Sequence, residues 1–382
     1  MSAALVVCSL GAGYGSSATA DRWVVTDVAK LASLAYPAYR YVSFVGTSSD
    51  GRIFWLADGS RSRNLFEWQN GTISELGPVP FAFGVVNDKG AVAGSDFAGS
   101  LGPVGQTVTH TYLWRGGAVT KLGTFGGFAT VAGLNDRGQV AETYAPPEDP
   151  SSIRAAIWQN GQTTDLGTLG GKGAWADALN DREQVVGISR PASGFDHAFL
   201  WDRGKMIDLR TPGNVSEAEA LNERGQVVGW WGRANPGGFR SAFLWQRGKA
   251  VDLGPVSMDG NLPIAVSEHG WVIRSTGLQF GSGRGVLWHD GRTVDLGGIG
   301  GGQTFPLAIN KRGQIVGTAS LHGGTYQKPR LRAFLLESGK MTVLPGAVSY
   351  YNPKMTIDPT GTRVVAGTCC PDLLLLWTRR PA

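Results

Sequence analysis

The chain is poor in charge and almost free of cysteine. Only 17% of its 382 residues are charged, and there are three cysteines. A small disulfide scaffold needs many more cysteines. A disordered chain needs more charge and less apolar content than the 42% present here. No run of about 18 apolar residues occurs, so no membrane-spanning helix is expected. Lys/Arg-rich blocks and basic stripes interleaved with aromatics are missing, and the formal charge is only +5, so nucleic acid is not an expected partner. Catalytic signatures are missing as well. There is no G-x-S-x-G elbow, no H-E-x-x-H helix and no zinc-spaced Cys/His set. The glycine-rich runs Gly167 to Gly173 and Gly297 to Gly302 lack the following helix that would make a phosphate cradle.

What the chain does have is glycine, tryptophan and a repeat. An aromatic anchor recurs as Trp68, Trp114, Trp158, Trp201, Trp245, Trp288 and Trp377, with Leu336 filling the one gap. Successive spacings are 46, 44, 43, 44, 43, 48 and 41 residues. A second signal of the form N-D-x-G-x-V-V keeps step with it, at Ser49-Asp50, Asn87-Asp88, Asn135-Asp136, Asn180-Asp181, Asn222-Glu223, Ser267-Glu268, Asn310-Lys311 and Asp358-Pro359. A period of this length built from short strands reads as propeller blades rather than helical arrays.

One unit, Ala178 to Leu209, shows how each blade forms. Four short strands, designated c, d, a and b in chain order, alternate tight turns with loose connections. In N-D-x-G the Asn or Asp side chain accepts local backbone N–H groups, and Gly takes the positive φ that closes the hairpin. The W-x-x-G turn works similarly at Gly71, Gly117, Gly161, Gly204, Gly248 and Gly291. Carboxylates that recur in nearly every unit therefore read as structural, and the recurring Trp and Phe as packing between blades.

The expected fold is all-β: an eight-bladed β-propeller of four-stranded blades. The N-terminal strand, Trp23 to Leu31, completes the last blade by pairing with the C-terminal strands, which removes both free edges. Small residues near Ala178, Ala220, Ala265 and Ala308 place c innermost, with the a-strand inside as the alternative. Both hairpin turns then share one face, and the variable d-to-a and b-to-c connections share the other, where function is sought. Residues 21–382 form a single domain, expected to be monomeric. Residues 1–20 read as an export signal without its basic start: Ala3 to Leu10 is apolar, and Ala18-Thr19-Ala20 is a small-x-small site before Asp21. Cys369 and Cys370 then remain, as a reduced pair or a strained bond, and are neutral on compartment.

Two elements carry a family resemblance. His197-Ala198-Phe199-Leu200-Trp201 is matched in part by Ala242-Phe243-Leu244-Trp245 and Ala333-Phe334-Leu335. D-L-G-x-L-G-G appears as Asp165 to Gly171 and Asp295 to Gly301. Over residues 22 to 378 the chain resembles the extracellular HAF-repeat family, which implies an exported β-repeat protein and brings no reaction with it. The signature His is not kept. The position four before the anchor reads Asn64, His110, Arg154, His197, Ser241, Arg284, Arg332 and Leu373, which is no metal ring.

Three carboxylates stand out. Asp177 and Glu219 share one position on consecutive c-strands, where other units carry Gly46, Gly84, Ala132, Ile264, Leu307 and Met355. Glu217 lies two residues earlier, matching Trp175. If c is innermost they converge at the channel mouth, where they suit acid–base work or, through oxygen ligands, a divalent cation such as Ca²⁺; otherwise they are solvated rim residues. No other cofactor is expected. A second set is aromatic: Tyr36, Tyr39, Phe81, Phe83, Phe128, Trp175, Trp230, Trp231, Phe305, Tyr350 and Tyr351. With Arg154, Arg190, Arg233, Arg240 and Arg332 it suits a carbohydrate or small organic anion. The insert Ser320 to Arg332, with His322, Tyr326, Lys328 and Arg330, reads as a cover for the channel or a tolerated loop. The leading expectation is an exported binding module for a carbohydrate or cell-envelope ligand. The alternatives are a carbohydrate lyase or hydrolase acting through Asp177, Glu217 or Glu219, and a protein–protein scaffold. The concentration of unusual residues at 175–233 and 320–351 favours one asymmetric site over eight equal ones.

Overall fold

The computed structural model describes residues 3–4, 22–96, 109–123, 127–192, 194–234, 240–256, 265–276, 283–299, 302–321, 331–348, 353–368 and 373–380. Eight antiparallel sheets follow one another along the chain, each in the order c-d-a-b. Blade 4 is representative, with strands Gly170–Leu179, Val185–Pro191, His197–Asp202 and Lys205–Asp208. Blade 5 follows with Val215–Leu221, Val227–Gly232, Arg240–Gln246 and Lys249–Pro255. The eighth sheet takes Arg22–Asp27 as its outermost strand, paired along Leu375 to Arg380, so first and last segments close the ring as expected. A short fifth strand, Ala3–Ala4, adds to the edge of blade 1 at Thr72 and Ile73.

Every c-strand touches the c-strand of both neighbouring blades, in one unbroken cycle from blade 1 round to blade 8. That cycle makes c the innermost strand. The apolar interior is divided into eight seams, one between each pair of blades. Trp114 of blade 2 packs with Phe54, Leu56 and Leu65 of blade 1. Trp201 packs with Ala155 and Ile157 of blade 3, and Trp68 closes the ring against Leu374 and Leu376 of blade 8. Each Trp anchor, and Leu336 in blade 7, removes a large apolar side chain from water between two sheets, so no blade buries its own faces alone.

The N-D-x-G turn also joins blades. Asn180 is buried. Its Oδ1 accepts from the Arg182 and Gln184 N–H groups at 3.1 and 2.9 Å, while its Nδ2 donates to the Asn222 carbonyl of the next blade at 3.0 Å. The same inter-blade bond runs from Asn87 to Asn135, Asn135 to Asn180, Asn222 to Ser267, and Asn310 to Asp358. The neighbouring carboxylates repeat the pattern: Asp181, Glu223 and Glu268 accept from the backbone N–H groups of Asp136, Asp181 and Glu223. In blade 1 the position is Ser48, whose N–H bonds the Arg52 carbonyl as Asn180 bonds Gln184, one residue earlier than the Ser49-Asp50 alignment. The turn glycines hold φ near +75°, but blade 4 has Glu183 there at +65°.

The expected first strand, Trp23 to Leu31, is shorter than its apolar pattern. It ends at Asp27, and Val28–Ala35 forms a helix. Asp27 caps that helix by accepting from the Lys30 N–H at 2.9 Å, and Val28, Ala29 and Ala32 pack inward. Residues 97–108, 193, 235–239, 322–330, 349–352 and 369–372 lie outside the described residues. Cys369, Cys370 and the readings placed on His322, Lys328 and Arg330 fall among them.

Candidate functional site at the loop-face mouth of the channel

Asp177 and Glu219 occupy their shared position for a backbone reason. Pairing between c and d steps from Ala176–Gly187 to Ala178–Val186 in blade 4, and from Ala218–Gly229 to Ala220–Val228 in blade 5. Asp177 and Glu219 are the extra residues of two β-bulges, as Val45, Ala132 and Leu307 are in blades 1, 3 and 7. Close approach demands glycine opposite: a Cβ on Gly187 or Gly229 would stand 1.9 Å from the carbonyl of Trp175 or Glu217. The scaffold thus holds the innermost strand tightly while the bulge frees its extra side chain from the regular alternation.

Asp177 is half-buried, and its Oδ2 is buried without a hydrogen-bond partner among the described residues. Burial, then the charges of Glu217 and Glu219, push its carboxyl up to about 8, so it is protonated at neutral pH. Glu217 is also raised by burial, but the Trp230 Nε1–H donates to its Oε2 at 3.0 Å and the Arg240 charge favours its ionised form. The Arg240 guanidinium lies 3.9 Å from the Trp230 ring centroid. Across the blade boundary Arg190 grips Asp196 through two bonds of 2.8 and 3.1 Å and lies 5.9 Å from the Trp175 ring centroid. Both carboxyl groups are thus shifted toward the protonated form, Glu217 against the pull of Trp230 and Arg240, beside two Arg-backed indoles.

Of the residues expected at a site, Asp177, Glu217, Glu219, Trp175, Trp230 and Arg190 come together here. Arg233 is exposed just past the end of Val227–Gly232. Trp231 points to the other side of its sheet, into the seam with Val186, Leu200 and Phe243. Phe305 is buried on blade 7, three blades away. Phe81 is core, while Phe83 and Phe128 are exposed. Tyr326, Tyr350 and Tyr351 lie outside the described residues. Among the described residues, no group of three or more His, Cys, Asp or Glu is arranged to hold a metal ion, and no helix is long and apolar enough to cross a membrane.

The signature position before the anchor resolves into a cross-strand bond. His197 Nδ1 meets Asp208 at 2.9 Å, Ser241 donates to Asp252 at 2.5 Å, and Arg284 meets Asp295 at 2.8 Å. The same Asp then caps the following turn, as Asp165 and Asp295 do by accepting from Gly167 and Gly297. Both family elements are halves of one structural device.

Three charged residues escaped the sequence reading. Glu142, fully buried, accepts from the Thr111 hydroxyl of blade 2 and has an unpartnered Oε2; burial pushes it up to about 7. Arg274 is buried against the Leu253 and Pro255 carbonyls. Both stand at the d-strand register that is Gly94, Gly187, Gly229 and Gly317 elsewhere, so the departure from glycine was the available signal. Lys354 lies on the c-strand of blade 8, diametrically opposite blade 4, and pairs at the register of Trp175. Its ammonium donates to the Val45 carbonyl. It is water-accessible yet enclosed by neighbouring strands, which lowers it to about 8.

No protein-family model matches the chain, and no curated protein matches it. Solved propellers do. TolB from Acinetobacter baumannii is similar at 13% identity and TM-score 0.42, over 66% of this chain and 62% of that one. The β-propeller domain of the Trilobed protease from Pyrococcus furiosus is similar at 10% identity and TM-score 0.48, over 82% and 99%. Oligogalacturonate lyase from Vibrio parahaemolyticus is similar at 9% identity and TM-score 0.47, over 89% of each. The chain thus spans less than two thirds of TolB. At such identities the likeness is one of fold.

Proposed function

We propose that this propeller is an exported binding module that takes a carbohydrate, or another hydroxyl-rich component of the cell envelope, at the loop-face mouth of its channel. The observation that carries the reading is Asp177, a bulge residue with a buried, unpartnered carboxyl oxygen. Held protonated at neutral pH, it both donates and accepts, which matches a neutral hydroxyl better than a cation or an anion. Glu217 adds an acceptor, and Trp175 and Trp230 supply the apolar faces that sugar rings stack on. Export rests on the resemblance to the HAF-repeat family and on the signal-like pattern of residues 1–20.

A thermal-shift screen against glycans tests the proposal, with Ca²⁺ added with and without chelator as a separate arm. The expected result is a saturable shift that survives in Asp177→Asn, which keeps donor and acceptor, and disappears in Asp177→Ala. An equal shift in both variants would overturn it. A silent screen would turn attention to a protein partner. The juxtaposition of Asp177, Glu217 and Glu219 favours a second reading, a carbohydrate lyase or hydrolase acting through these carboxyl groups, with the protonated Asp177 as its acid. Release of product from a bound glycan, lost in Glu217→Gln with binding retained, would establish it.

A further inference from the structure

The helix Val28–Ala35 roofs a cavity of about 260 Å³ on the outer part of the loop face, between the last and first blades. Its floor is aromatic. Phe66 stacks on Trp55 at 5.7 Å between centroids, and the edges of Tyr36 and Tyr39 meet Phe66 at 5.1 and 5.0 Å. Two polar atoms of this lining are buried without a partner among the described residues: Nε1 of Trp55, whose side chain is 0% exposed, and Oη of Tyr36. Trp55 replaces the glycine found at this d-strand register in four other blades, so those blades lack this indole.

The rim is cationic. Lys30 and Arg40 both line the cavity, are exposed and have no ion-pair partner among the described residues. The one carboxylate of the lining, Asp27, is engaged as the cap of the helix. Next to Arg40, Tyr41 is held at φ +56° and is 66% exposed. Tyr41 falls in the register break of strand Arg40–Thr47, between the Arg40–Asp58 and Ser43–Leu56 pairs, and that β-bulge sets its backbone.

We infer that this cavity is a second ligand site, separate from the channel mouth, and that it takes a small planar aromatic carboxylate. The ring lies on the Trp55–Phe66 floor within reach of the buried N–H and O–H groups. The carboxylate sits at the rim between Lys30 and Arg40, where guanidinium geometry suits it. The volume accommodates roughly a dozen non-hydrogen atoms, the size of a two-ring acid.

Isothermal titration of the full chain with 2-naphthoate tests the assignment, with neutral 2-naphthamide as comparator. Saturable binding of naphthoate is expected, with the amide about tenfold weaker from loss of the charge contact. Arg40→Gln and Lys30→Gln, both on the surface, are expected to bring naphthoate down to the level of the amide. Ala32→Phe, which fills the cavity, is expected to abolish both. Asp177→Ala leaves naphthoate binding unchanged, which separates this site from the channel mouth. Absence of saturable binding, or equal naphthoate affinity in wild type, Arg40→Gln and Lys30→Gln, would overturn the proposal.

Discussion

The two ends of the channel are built from the same residue types and use them in opposite ways. At the turn face, Asp181, Glu223 and Glu268 accept backbone N–H groups from the preceding blade, beside an Asn whose Nδ2 donates to a carbonyl of the next blade in five blades. At the loop face, Asp177 keeps a buried carboxyl oxygen without a partner among the described residues, and burial, then the charges of Glu217 and Glu219, drive its pKa up. A polar device repeated round the ring is part of the frame. One confined to a single sector, with its hydrogen bonds unfinished, is available to a ligand.

The comparison breaks most sharply at Asn180. Replacing it by Ala removes the inter-blade bond and strands the buried Gln184 N–H and the Asn222 carbonyl. It is expected to cost about 3 kcal/mol in urea unfolding, measured at pH 7. An effect below about 1 kcal/mol would mean that the turn-face network is not what holds the blades. Glu142 is next. Its raised pKa, about 7 against an ordinary 4.5, means the ionised form is penalised in the folded state. The penalty is absent below pH 4.5, grows between 4.5 and 7, and is complete above 7. Glu142→Gln is therefore expected to stabilise by about 2 kcal/mol at pH 8.5, after the cost of an orphaned amide, and to do nothing favourable at pH 4. A pH-independent effect in the two melts would refute that assignment.

Asp177 yields a smaller and functional effect. Glycan affinity is expected to hold from pH 5 to 7 and to fall about tenfold by pH 9, as the carboxyl ionises through about 8. Asp177→Asn should flatten that profile, as read by calorimetry at three pH values. The smallest effect is at Glu183, which sits at +65° where other turns have glycine. Glu183→Gly is expected to raise stability by about 1 kcal/mol by relieving the left-handed strain. Gly225→Ala in the next blade should lower it, and denaturant midpoints of both variants check the pair.

Much of the frame was legible because its signals repeat. Trp68, Trp114 and Trp201 announced the blades, and glycines at fixed offsets announced the turns. Where a signal was single, the reading slipped. In blade 1, Ser48 carries no Asn to mark the turn, and the alignment moved by one residue. The pattern from Trp23 to Leu31 suits strand and helix alike, and the Asp27 cap decided it. The candidate site was half legible: Asp177 and Glu219 stood out against small residues, but Arg240 and Asp196 reach Glu217 through space. Trp231 and Trp230 are adjacent in sequence, yet alternation along a strand sends one into a seam and the other to Glu217.

The sequence alone determined the number of blades, the order of strands within each, the closure by first and last segments, and the turn chemistry. All of these follow from local periodicity and from the φ/ψ preferences of glycine and asparagine. Only the tertiary structure decided that c lines the channel, that the Asn side chains bond from blade to blade, and that Asp177 is protonated. It also showed that a cavity lies beneath an unforeseen helix. Each of these depends on which groups from distant parts of the chain displace water from one another, and that is a property of the closed ring rather than of any one repeat.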